Sequence, residues 1–82
     1  MTLSFSEPDP SRPEKEAFLR ALSEAELLAL YNETRKAASA ARKAHDMEAL
    51  YPLARGLKTI QRIAGERGFV IKARRLLKAS DA

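Results

Sequence analysis

Between Ser23 and Ala64 the apolar residues recur at alternating steps of four and three, and that spacing restricts this stretch to paired amphipathic helices. Ser23-x-x-Glu26 is a capping box, which satisfies two backbone donors at a helix start, so a helix is predicted over 24–44. Its seam runs Leu27, Tyr31, Thr34, Ala38, Ala41, His45. The lower half, Ala37-Ala38-Ser39-Ala40-Ala41, carries only small side chains and lets a partner helix approach closely, although alanine also serves simply as a strong helix former. Leu50, Leu53, Leu57, Ile60 and Ala64 share one face of the next helix, predicted over 47–64 with Asp46 as N-cap. That start places Pro52 inside the helix, where it removes a backbone hydrogen bond; a break at Tyr51-Pro52 is the other way to read the same residues.

Shorter signals flank this pair. Ser11-x-x-Glu14, with Pro13 inside the first turn, opens a short helix carrying Phe18, Leu19 and Leu22. Met1–Pro10 has no period and holds Pro8 and Pro10, so 1–10 is expected to be a mobile arm and 11–82 a single helical domain. Leu3 and Phe5 would otherwise pack on a partner. Gly65-Glu66-Arg67-Gly68 ends the third helix, and a fourth is predicted over Phe69–Ala79. In that helix Phe69, Val70, Ala73, Leu76 and Leu77 share a face, leaving Ile71 among Lys72, Arg74, Arg75 and Lys78. The expected fold is all-α: a bundle of three to four helices on a central antiparallel hairpin.

At 82 residues the chain has room for one domain and a thin margin of stability. It has no cysteine and one histidine, His45, which removes disulfides, thiolate metal sites and any cysteine nucleophile. Self-association is then the expected further support, covering apolar edges such as Leu28, Ile63 and Ile71. The longest apolar run, Leu27–Tyr31, is far short of the ~20 residues of a spanning helix. The acidic, proline-bearing N-terminus is unlike a secretory signal, so a cytoplasmic protein with no membrane partner is expected.

Charge is sorted along the chain. Residues 1–34 hold three basic and seven acidic side chains, residues 35–50 four and two, and residues 51–82 eight and two. A basic end seeks an anionic partner. The candidate binding residues for a protein or a nucleic acid are Arg55, Lys58, Arg62, Lys72, Arg74, Arg75 and Lys78. The same run also fits a solvated face of two amphipathic helices.

Catalytic patterns are missing. Gly56, Gly65 and Gly68 fit neither a dinucleotide loop nor a P-loop, and there is no nucleophile elbow or HExxH. Glu14, Glu16, Glu24 and Glu26 sit in first turns, where carboxylates offset the helix dipole, and His45 suits a helix C-terminus. No catalytic residue, metal, cofactor or small-molecule substrate is expected. In Ile63–Phe69 the alanine and the glycine four residues later match a helix-turn-helix reader, but Arg74 occupies a core position of that motif.

Two segments carry family likenesses. Gly68-Phe69-Val70-Ile71-Lys72-Ala73-Arg74-Arg75-Leu76-Leu77 resembles the C-terminal tail of some phage small-terminase subunits, with Val70-Ile71 where that tail has Thr-Pro. Leu19-Arg20-Ala21-Leu22-Ser23-Glu24-Ala25-Glu26-Leu27, with Gly68-Phe69-Val70, is similar in pattern to helical quorum-sensing antiactivators. The first implies a nucleic-acid-associated accessory protein and the second a protein-binding regulator. The residues themselves point to a non-enzymatic regulatory or adaptor protein that binds another protein or itself, with DNA regulation or packaging as the alternative.

Overall fold

Three helices form where caps and periodicity place them: α1 Arg12–Ala21, α2 Glu24–Lys43 and α3 Met47–Glu66, followed by strands β1 Phe69–Lys72 and β2 Arg75–Lys78. The computed structural model describes residues 2–72 and the backbone of 75–78. The fold is mostly helical. No helix among the described residues is long and apolar enough to cross a membrane.

The Ser23 box closes in full. Ser23 Oγ accepts the Glu26 N–H at 3.1 Å, and Glu26 Oε1 accepts the Ser23 N–H at 2.9 Å. Asp46 caps α3 by accepting the Ala49 N–H, with Pro52 inside the helix. The turn between α2 and α3 is made by His45 at φ 56°, and Asp46 N–H returns to the Ala41 carbonyl at 2.9 Å. The Ser11 box does not close. Ser11 has φ −93° and ψ 7°, outside the extended geometry of a cap, and its Oγ donates to the Asp9 carboxylate at 2.6 Å.

The predicted fourth helix is replaced by an antiparallel pair with Phe69 opposite Lys78 and Lys72 opposite Arg75. Gly68, at φ 84°, releases the chain from α3, and the aromatic and β-branched run Phe69-Val70-Ile71 favours a pleated ribbon. Burial alternates along β1: Phe69 and Ile71 are half-buried against the core, whereas Val70 and Lys72 are exposed. Ile71, out of place on a basic helical face, takes an ordinary position once the period is two. The side chains of Arg75 and Lys78, and Arg74 altogether, lie outside the described residues.

The N-terminal segment, expected as a mobile arm, packs on the helices through Leu3 and Phe5. Leu3 is 6% and Phe5 0% exposed, and both belong to the core with Leu19, Leu27, Leu30, Tyr31, Ile60, Ile63 and Ala64. Its backbone is tied to both long helices. Leu3 N–H donates to Thr34 Oγ1 at 3.0 Å, while that hydroxyl donates to the Leu30 carbonyl at 2.7 Å. Phe5 N–H donates to the Pro52 carbonyl at 3.1 Å. Thr34, fully buried, thus has its polar capacity filled at donor and acceptor alike.

This segment rotates the buried face of α3. Gly56, Thr59, Ile60, Ile63 and Ala64 are buried, whereas Leu50, Leu53 and Leu57 are half-buried. A methyl group at Gly56 would collide with the Leu3 carbonyl, so glycine here is required by close approach. Ordinarily Gly→Ala within a helix gains about 1 kcal/mol. Gly56→Ala is expected to reverse that sign and cost about 1–3 kcal/mol, through overpacking. A melt shifted upward would show that the segment does not lie on α3.

The apolar edges expected to drive self-association are largely covered within the molecule. Ile63 is fully buried and Ile71 packs on the core, leaving Phe18, Met47, Tyr51 and Val70 as the exposed large hydrophobics among the described residues.

Candidate functional site

The candidate basic residues divide into groups with different environments. Arg55 turns inward to the N-terminal segment: Nη1 donates to the Phe5 carbonyl at 3.1 Å and Nη2 to Glu7 Oε2 at 2.7 Å. Arg62, two turns on, bridges α3 to α1 through Glu16 at 3.0 Å and pairs with Glu66 at 2.8 Å. Arg20 on α1 completes the circuit by reaching Glu66 at 3.1 Å and Glu16 at 3.5 Å. Lys58 and Lys72 are exposed and make no ion pair among the described residues. Of the seven, Arg55 and Arg62 are engaged within the molecule and Lys58 and Lys72 are open, while Arg74 and the side chains of Arg75 and Lys78 lie outside the described residues. Glu7, Glu16 and Glu66 are partners that the charge count along the chain could not reveal.

These pairs set protonation. The Arg62 hydrogen bond holds the Glu16 carboxyl below its usual range, and the same contact raises Arg62. Glu26 is lowered by the backbone N–H of Ser23. Asp9 is lowered furthest, chiefly by the Ser11 hydroxyl and then by Lys15, whose ammonium lies 2.9 Å away. Its carboxylate also accepts the Ser6 and Ser11 N–H groups, at 3.0 and 2.9 Å, so one anion organises the approach into α1.

The stability consequence has a definite sign. The folded-state values lie below the ordinary 3.8 of Asp9 and 4.5 of Glu16 and Glu26. The stabilisation is complete above those values and is lost as pH falls through the depressed ones. The melting temperature is expected to drop as pH falls below 4.5, with the Asp9 share persisting to the lowest pH. Asp9→Asn should melt lower at neutral pH and show a shallower acid slope. Equal slopes for the two proteins would remove Asp9 from this account.

A groove that the charge pattern did not indicate lies between α1 and α2. Phe18 of α1 and Leu22 just past its end face Ala29 and Leu30 of α2, with Glu26 and Glu33 at the rim of an open groove of about 400 Å³. Phe18 remains 41% exposed there. The sequence does hold its signal: Phe18 and Leu22 stand one turn apart and so fall on the same side. A second depression follows α2 along Asn32, Glu33, Arg35, Lys36, Ser39, Ala40 and Lys43. Among the described residues no group of acidic or histidine side chains could hold a metal ion.

No family model matches the chain, and no characterised protein or solved structure matches it.

Proposed function

We propose that this protein is a small non-enzymatic adaptor that acts by binding another protein through a helix face, and that it self-associates. The carrying observation is the apolar groove between α1 and α2, floored by Phe18, Leu22, Ala29 and Leu30 and rimmed by carboxylates. An amphipathic helix with basic flanks is the complementary shape and charge for such a groove. In this reading α2 and α3 form an antiparallel hairpin that acts as the rigid scaffold. Arg55 and Arg62 serve the fold, as their intramolecular pairs suggest.

The rival reading, a nucleic-acid-associated accessory protein, draws on exposed Lys58 and Lys72 and on the basic β2 strand. Titration with duplex and single-stranded nucleic acid at low and physiological salt separates the two. The adaptor reading expects no site that survives physiological salt. Tight binding with a steep salt dependence, lost in Lys58→Glu/Lys72→Glu, overturns it. Among proteins retained from a native extract, the adaptor reading expects partners lost with Phe18→Asp and kept with the double lysine variant. The reverse pattern counts against the groove.

A further inference from the structure

One stripe of α2 is left uncovered among the described residues. Glu26, Ala29, Glu33, Lys36, Ala40 and Lys43 follow each other at steps of three and four, and all are exposed. They lie beside the buried stripe Leu27, Leu30, Tyr31, Thr34, Ala38, Ala41 and line the two depressions described above. At 1.5 Å per residue the stripe is about 26 Å long. None of its charged side chains makes an ion pair within the molecule among the described residues.

The order of residues in this stripe is self-complementary. A two-fold axis midway between Glu33 and Lys36 reverses the helix direction and maps each position onto a suitable mate. Glu33 then meets the partner's Lys36, Ala29 meets the partner's Ala40, and Glu26 meets the partner's Lys43. Every charged position finds the opposite sign, and the small side chains between them permit close helix approach. A parallel arrangement in register would set Glu against Glu and Lys against Lys. The carboxylate of Glu26 retains one oxygen for this role, since its Oε1 already accepts the Ser23 N–H.

We infer that the partner for this face is a second copy of the chain, joined as an antiparallel two-fold dimer through α2. Symmetry makes such an interface isologous, so each favourable pair occurs twice. The Ala40 and Lys43 end of one α2 then lies along the groove lined by Phe18, Leu22 and Ala29 of the other. This covers Phe18, one of the largest apolar side chains that the monomer leaves exposed. The inference rests on the protein-binding reading and names the occupant of the same groove.

Charge exchange tests it. Glu33→Lys places lysines opposite each other twice, and Lys36→Glu does the same with carboxylates. Each variant alone is expected to associate at least about tenfold more weakly than the native protein. An equimolar mixture of the two should regain association, because every contact between unlike copies is again of opposite sign. Glu33→Lys/Lys36→Glu in one chain should also recover it. Sedimentation equilibrium over a range of concentrations reads all four samples, and thermal melts confirm that these exposed changes leave the fold intact.

Failure of the mixture to associate, or dimerisation of the single variants at native strength, overturns the two-fold. A native protein that is purely monomeric at high concentration overturns it as well. That last result also removes self-association from the proposed function, while protein binding through the groove stands if Phe18→Asp still releases a partner. Loss of both results together removes the groove from either role.

Discussion

Phe5→Ala is expected to cost about 3–5 kcal/mol, the range for emptying a buried aromatic site. Phe5 is fully buried, although it lies only a few residues from the chain's start. Its ring also receives two cations, with the Arg12 guanidinium 4.5 Å and the Lys15 ammonium 5.1 Å from its centroid. Such contacts add about 0.5–1 kcal/mol each where partly exposed. A domain of this length has roughly 4–12 kcal/mol in all, so the loss is a large share. Urea melts should show a markedly lower midpoint. Deleting residues 1–6 should destabilise at least as much, since the Leu3 and Phe5 backbone bonds go too. If Phe5→Ala melts like the native protein, the N-terminal segment is not part of the core.

Ile63→Ala is expected to cost about 2–5 kcal/mol, by lost burial and the cavity left behind. Ile63 is fully buried in the cluster that joins the N-terminal segment, α1, α2 and α3. Leu57→Ala, at a half-buried position, should cost less than Ile63→Ala. Heptad reasoning ranks them otherwise, since Leu57 lies on the main apolar face and Ile63 at its edge. Thermal melts of the two variants side by side decide which face of α3 points inward. A larger loss for Leu57→Ala would mean that α3 is rotated from the arrangement described.

Where helices begin was written locally, and those parts were readable. The Ser23 box and the Asp46 cap each need only side chains within three residues, so composition and spacing suffice. The buried stripe of α2 was equally plain, because period 3.6 and the identity of each residue determine it. Local preference misled at Ser11, whose hydroxyl donates to the Asp9 carboxylate upstream of the motif and accepts no N–H from the first turn. It misled again after Gly68. Phe69–Leu77 satisfies a helical face on paper, and only the pairing of Ile71 with Leu76 across the ribbon discriminates the strand.

The charge pattern needed the fold for a related reason. Charge sorted by position looked like a surface awaiting an anion, but charges far apart in sequence meet in space. Glu7 reaches Arg55, Glu16 reaches Arg62 and Arg20 reaches Glu66, so much of the asymmetry joins the N-terminal third to α3. Helix limits, caps and the inner face of α2 follow from interactions within a turn or two of chain, and the residues alone were enough to state them. The docking of the N-terminal segment, the rotation of α3, the choice of strand over helix and the pairing of opposite charges all depend on loop closure and shared burial. Those are properties of segments brought together, and no local pattern encodes which distant segment will be met.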